Sequence, residues 1–339
     1  MIIGIPKESL AGETRVAILP AEIKKLSSDL LKFKIESGAG NGSFIADENY
    51  AESGAEIVSD VYSDSDLIIR INPPTEEELS KFNNGTCLIS LLAPFTNHAL
   101  VKQLAEKNIS SYCLELIPRS TYAQSMDVLS SQATVGGYRA VLNAASHLSK
   151  FFPMLMTPAG TIKPSTVLVI GAGVAGLQAI ATAKRLGAKV EAFDVRPVAR
   201  EQVESLGAKF LYMDLDDSAE TDSGYAVEMN EEFIRKEMEL LHDAAKRVDA
   251  IITTALIFGR PAPILIKDYM VNDMQPGSCI IDMAAENGGN CELTKLGEII
   301  HHNGVTIDGT LNLPAQVPYH ASQMLSKNIS KLLTEVIED

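Results

Sequence analysis

Residues 164–194, PSTVLVIGAGVAGLQAIATAKRLGAKVEAFD, constrain the fold of this 339-residue chain more than any other stretch. Val167 to Ile170 is an unbroken apolar run, the pattern of a parallel strand buried on both faces. Gly171, Gly173 and Gly176 follow as G-x-G-x-x-G. The next residues, mostly Ala and Leu, favour a helix until Gly187 stops it. Val190 to Phe193 reads as a second strand, closed by Asp194. In a strand–turn–helix–strand unit of this kind the first glycine permits the tight turn and the second lets a pyrophosphate approach the backbone. The third lets the helix pack against the strand, and the helix N-terminus faces the phosphates. Asp194 lies 23 residues after Gly171, where a carboxylate can accept from a ribose 2′-OH and repel a 2′-phosphate. Arg196, two residues on, argues for the opposite preference; Asp194 carries more weight because it ends the strand. The expectation is a dinucleotide site selective for NAD(H), contacted by Gly171, Gly173, Val174, Ala175, Gly176, Asp194, Val195 and Arg196.

The rest of the chain implies a second domain of the same class. Residues 1–115 alternate short strand candidates (Ile2 to Ile5, Phe33 to Glu36, Glu56 to Val58, Asp66 to Ile71, Cys87 to Leu91, Ile109 to Leu114) with helix patterns such as Pro20 to Leu30 and Asn97 to Lys107. Strands spaced by helices build a parallel sheet covered on both faces. Residues 125–150 read as one long helix, and Pro153, Pro158, Gly160 and Pro164 as a loop leading into the nucleotide domain. That domain continues through strands at Ala250 to Thr253, Ser278 to Asp282 and Val305 to Asp308. A last amphipathic helix, Pro314 to Ile337, is expected to return to the first domain. The predicted fold is therefore α/β: two doubly wound Rossmann-like domains with parallel sheets, joined by long helices, with a cleft between. The boundaries fall at 1–126 plus 312–339 and at 127–311. Asp214 to Asn230, acidic and poor in apolar residues, reads as a mobile loop.

A net charge of −15 argues against nucleic acid or an anionic lipid surface as a partner. The N-terminus, MIIGIPKESL, lacks the form of a signal peptide. The run 167–183 is nearly uncharged, but its glycines fit a βα turn better than a membrane span. Cys87, Cys113, Cys279 and Cys291 form no C-x-x-C pair, which suits free thiols in a reducing cytoplasm. No His pairs with another His, Cys or Glu at metal-ligand spacing, so no metal site is expected.

Four segments carry a resemblance to a known family. GIPKESLAGETRVAILP (4–20) resembles the N-terminal segment shared by alanine dehydrogenases and the NAD(H)-binding component of proton-translocating nicotinamide nucleotide transhydrogenase. PRSTYAQSMDVLSSQATVGGYRAV (118–141), TTALIFGRPAP (253–263) and MAAENGGNCELT (283–294) resemble the transhydrogenase branch. That resemblance implies an enzyme component that holds NAD(H) and passes a hydride directly to NADP(H) on a partner component. A membrane-spanning component would couple the transfer to proton movement. It implies a homodimer, peripheral on the cytoplasmic face of the bacterial inner membrane through its partners and not itself inserted. It assigns the hydride-transfer face to Arg119, Gln124 and Asp127, with Ser130 and Tyr138 beside them. Nucleotide contacts are implied at Thr254, Ala255 and Leu256, and a lid tyrosine at Tyr225. On the residues alone, Arg119 and Asp127 read first as surface charges at a helix start, with Ser125 or Asp127 near its N-cap.

Alanine dehydrogenase is the competing reading, and its chemistry needs proton donors. The resemblance puts that branch's Lys position at Asn72 and its His position at Leu91, so both acid–base groups are missing. Arg15 and Lys7 are retained and are expected to serve structure. Asp282 occupies the region of that branch's catalytic Asp.

Overall fold

The computed structural model describes residues 1–212, 231–257 and 259–337. The chain divides into two compact units, Met1–Val135 with Pro314–Asp339, and Gly136–Leu313. The first boundary therefore falls inside the helix Val128–His147 rather than ahead of it, at the Gly136–Gly137 pair.

The first unit is built on six strands: β1 (Ile2–Ile5), β2 (Lys32–Glu36), β3 (Glu56–Val58), β4 (Leu67–Ile69), β5 (Cys87–Ser90) and β6 (Ser110–Cys113). Their order is β3-β2-β1-β4-β5-β6, with every neighbouring pair parallel. That is the doubly wound order, and it reverses direction between β1 and β4. Ile3, Ile5, Phe33, Ile35, Leu67, Ile69 and Ile89 make one core layer. The helix Pro318–Val336 joins that layer through Leu325, Ile329 and Leu333, so the C-terminal helix does return to the first unit. Val61, Ile68, Leu88, Leu100 and Leu104 fill the opposite face of the sheet.

The second unit contains a hairpin of β7 (Leu155–Thr157) and β8 (Gly160–Ile162), and a seven-stranded sheet. The sheet's strands are β9 (Thr166–Ile170), β10 (Lys189–Phe193), β11 (Lys209–Leu211), β12 (Ala250–Thr253), β13 (Cys279–Asp282), β14 (Ile299–His302) and β15 (Val305–Asp308). The order is β11-β10-β9-β12-β13-β15-β14. All pairs are parallel except β14 with β15, which is antiparallel. Two further differences from the sequence expectation lie in the second unit. The segment around Pro158 is a hairpin and not only a loop. The second sheet carries one antiparallel edge strand, and that strand holds His301 and His302. Among the described residues, no helix is long and apolar enough to cross a membrane, and no group of three or more His, Cys, Asp or Glu could hold a metal ion.

Candidate functional site

The order of the second sheet reverses between β9 and β12, and the crevice past the strand ends at such a point is where doubly wound folds bind ligands. The glycine turn sits there. Gly171 takes φ +94°, the left-handed region open to glycine, and its N–H donates to the Phe193 carbonyl at 2.8 Å. A Cβ on Gly176 would lie 1.8 Å from the Gly171 carbonyl oxygen, so only glycine lets the helix Val174–Arg185 start this close to β9. A Cβ on Gly173 would meet nothing within 4 Å. Open space thus lies over the first turn of a 12-residue helix whose N-cap, Gly173, offers no side-chain cap. The N–H groups of such a turn lack intrahelical partners and carry the positive end of the helix dipole. These features fit the diphosphate of a dinucleotide. Val174 beside them is 44% exposed.

Asp194 ends β10 as expected, but its carboxylate is already engaged. Oδ2 accepts from the Ala172 N–H at 2.7 Å and from Arg196 Nη2 at 2.9 Å. Oδ1 accepts from the Arg196 backbone N–H and Nε, both at 2.9 Å. Burial works to raise the Asp194 carboxyl, and the Arg196 guanidinium and these N–H groups outweigh it, holding it below the usual carboxylate range. Val195 and Arg196 are exposed.

The loop after β12 closes the other side of the turn. The Thr254 hydroxyl donates to the Gly171 carbonyl at 3.0 Å. Ala255 is clamped by the fully buried Asn290: its N–H donates to Asn290 Oδ1 at 3.0 Å, and Asn290 Nδ2 donates to the Ala255 and Pro263 carbonyls at 2.9 and 2.8 Å. Asn290 is itself fixed by Asp282, which accepts from five donors. They are Thr253 Oγ1, Thr294 Oγ1 and the N–H groups of Ala284, Asn290 and Cys291. Asp282 is therefore a buried anchor with its acceptor capacity filled, and no free general base. Leu256, next in the loop, is 56% exposed. Phe258, and Tyr225 with the 214–230 segment, lie outside the described residues.

One close approach went unseen in the sequence. A Cβ on Gly137 would lie 2.2 Å from the Ala175 carbonyl oxygen, so the Val128–His147 helix packs directly on the first turn of the fingerprint helix. Two adjacent glycines inside a helix cost stability unless something passes close by, and that was the available signal. Tyr138, the next residue, is 40% exposed.

In the first unit, Asp127 is the N-cap of the same helix. Its Oδ1 accepts from the Ser130 N–H at 2.9 Å, and its Oδ2 accepts from the Ser130 hydroxyl at 2.6 Å. Gln124 stands on the short 3-10 turn Ala123–Met126 just ahead of this cap and, like Arg119, is exposed.

The reversal point of the first sheet is filled rather than open. Glu8, in the segment after β1, accepts from the N–H groups of Ile71 and Asn72 at 2.6 and 3.2 Å and from Asn72 Nδ2 at 3.0 Å. Asn72 Nδ2 also donates to Glu13 at 3.0 Å. Arg15 holds Glu13 through Nε and Nη2 at 2.8 and 2.6 Å and donates from Nη1 to Gln132 at 2.8 Å. Arg70, fully buried, reaches Glu78 at 2.8 Å and Glu8 at 3.7 Å. Leu91 packs against the apolar core. Arg15 thus has a structural partner, while the exposed Lys7 contributes its backbone N–H to Glu36.

Burial raises the Glu13 carboxyl, but Arg15 and Asn72 win and hold it at about 2. A depressed carboxyl contributes stability above the ordinary carboxylate range and loses it as pH falls toward the folded value. Glu13→Gln should therefore destabilise the protein by about 3 kcal/mol at pH 7. The gap to the parent should close as pH falls from about 4 toward 2. Urea midpoints of both proteins across that range check this, and a gap that does not change with pH would count against a charge-dependent role.

Fold and site together define a two-unit α/β protein of the Rossmann type with an open dinucleotide turn in its second unit. The chain belongs to the alanine dehydrogenase/PNT family: residues 4–136 match that family's N-terminal domain and 140–339 its C-terminal domain. It is 46% identical over 348 residues to a Rhodospirillum rubrum chain named as the first portion of NAD(P) transhydrogenase subunit alpha, covering 100% of this chain and 91% of that one. A transhydrogenase crystal structure from Sinorhizobium meliloti superposes with a TM-score of 0.90 at 40% identity, covering 100% of this chain and 95% of that one. An alanine dehydrogenase of Methanococcus maripaludis is 29% identical over 320 residues, covering 91% of this chain and 78% of that one.

Proposed function

We propose that this chain is the NAD(H)-binding component of a proton-translocating nicotinamide nucleotide transhydrogenase. The observation that carries this reading is the filled reversal point of the first unit. Where an amino-acid dehydrogenase needs a proton donor, Asn72 ties Glu8 to Glu13 and Leu91 lies in apolar packing. Direct hydride transfer needs no such donor, because no O–H or N–H bond changes. Catalysis is then proximity and orientation. Bound NAD(H) would supply the hydride. The turn Gly171–Gly176, with the N–H groups of Val174 and Ala175, would bind its diphosphate. Asp194 would bind the adenosine ribose, flanked by Val195 and Arg196. Thr254, Ala255 and Leu256 would line the other side of the turn, and Tyr225 would be the lid contact. Ser130 commits its proton to Asp127 and keeps oxygen lone pairs that can accept from a carboxamide NH2. Arg119 would steady the nucleotide, Tyr138 would stand beside it, and Gln124 would reach the NADP(H) of the partner component.

The partners follow from the same reading: an NADP(H)-binding component, and a membrane-spanning component that keeps this chain peripheral on the cytoplasmic face. A second copy of the chain is supported by the β7–β8 hairpin. A two-stranded hairpin is marginal alone in water, and this one exposes Met156 and Ile162, with Met154 exposed just ahead of it.

The test mixes this protein with an NADP(H)-binding transhydrogenase component and follows single-turnover hydride transfer from NADH to an NADP+ analogue, with alanine plus NAD+ as the control reaction. Transfer with the component and none to or from alanine is expected. Gln124→Asn, one methylene shorter, should slow transfer on the order of a hundredfold while NADH affinity stays nearly unchanged. Parent-rate transfer by Gln124→Asn, or NADH affinity lost in step with rate, would remove Gln124 from this role.

A further inference from the structure

The Asp194 carboxylate has room for about four hydrogen bonds, and four donors already occupy it. Two are backbone N–H groups, of Ala172 and Arg196, set by the glycine turn and by the tight turn Asp194 makes with Arg196. The other two belong to the Arg196 guanidinium, whose side chain is 54% exposed where the Asp194 side chain is 7% exposed. A ribose 2′-OH arriving as a donor competes with these four, and of them only the guanidinium is free to give way. The other arginine close by in sequence, Arg200, is engaged by Glu204 at 2.9 Å and lies 5.0 Å over the Tyr212 ring.

We infer that Arg196 is a specificity-determining residue whose sign is set by Asp194: held by the carboxylate it is spent, and released from it it becomes a ligand for a 2′-phosphate. This rests on the dinucleotide reading of the turn. The guanidinium sits on the carboxylate that would meet the ribose, so a 2′-phosphate arriving there would come up beside it. The protein therefore rejects a 2′-phosphate because its cation is neutralised, and not because it lacks one. A planar guanidinium binds phosphate in bidentate fashion, and such charge-assisted bonds are the strong ones.

The substitutions form a cycle. Asp194→Asn keeps an oxygen for one of the two backbone N–H groups, that of Ala172 on Oδ2 or that of Arg196 on Oδ1, and removes the charge. It should raise NADPH affinity about 10- to 100-fold and lower NADH affinity about tenfold, inverting the preference and not merely narrowing it. Arg196→Ala removes the cation that a 2′-phosphate would need, so in that variant NADPH should bind worst of all. Asp194→Asn with Arg196→Ala should lose the NADPH gain.

The experiment is calorimetric titration of the full chain and the three variants with NADH and NADPH, and with 5′-AMP against 2′,5′-ADP to isolate the ribose end. Near-UV circular dichroism confirms each fold, and Asp194→Ser replaces Asp194→Asn should the latter misfold. An NADPH gain in the single variant that vanishes in the double supports the inference. No gain in either charge-removing variant, or the same gain in the double, overturns it while the parent still binds NADH. A parent that binds neither nucleotide overturns the dinucleotide reading, and this inference with it.

Discussion

Gly176→Ala is expected to abolish measurable NADH binding and to lower the stability of the second unit by about 3 kcal/mol or more, at or beyond the upper end of overpacking costs. The added methyl would sit 1.8 Å from the Gly171 carbonyl oxygen and 2.9 Å from its carbon. Both are backbone atoms, so no rotamer change relieves the contact. Relief requires the helix Val174–Arg185 to back away from β9, which carries its N-terminal N–H groups off the turn. Gly173→Ala is the matching control, because its methyl enters open space. That variant should fold like the parent and lose NADH affinity alone, since the methyl occupies the approach to the helix N-terminus. Thermal melts and NADH titrations of both variants decide the matter. A Gly176→Ala protein with parent stability and parent affinity would show that the turn does not work as described.

Asp282→Ala should be the most damaging change outside the turn, costing at least about 4 kcal/mol, because it orphans several buried donors at once. Thr253, Thr294 and the N–H groups of Ala284, Asn290 and Cys291 all point at this carboxylate. The damage should spread. Asn290 depends on Asp282 and in turn holds Ala255 and Pro263, so the loop after β12 should loosen and NADH affinity should fall. Amide exchange at Ala255, compared between parent and variant, reports this directly. Unchanged protection there would mean that Asn290 holds the loop without its anchor.

The glycine turn is legible in the sequence because its signals are local: an apolar run, three glycines at fixed spacing, and an acid at the end of the next strand. The α/β class is legible for the same reason. Strand order is not, since nothing in β1 or β4 says which strand lies beside it. The antiparallel edge strand β14 left a readable mark. Asn303 and Gly304 take φ +51° and +82°, the Asn-Gly pair of a two-residue hairpin turn, between Ile299–His302 and Val305–Asp308. Asp127 at the N-cap is one of two positions the sequence allows, and the bonds from Ser130 select it over Ser125. Spacing alone presents Asp194 as a free acceptor. Its pairing with Arg196 depends on rotamers and burial, which spacing does not encode. The Asp282–Asn290–Ala255 chain joins residues up to 35 apart in sequence and is invisible for that reason.

The two units share one winding order through their first five sheet positions, yet one reversal point is open over Gly173 and the other is filled by Glu8. That filling has a historical cost. Glu8 cannot be lost alone, because the fully buried Arg70 would lose part of its charge compensation and the Ile71 and Asn72 N–H groups would lose their acceptor. Breaking such a buried pair from one side destabilises by about 3–5 kcal/mol, a large share of what a domain has. A lineage that tried to reopen this half as a second pocket would have to change at least two positions together, so the first unit is committed to its present shape by an evolutionary ratchet set in its own interior.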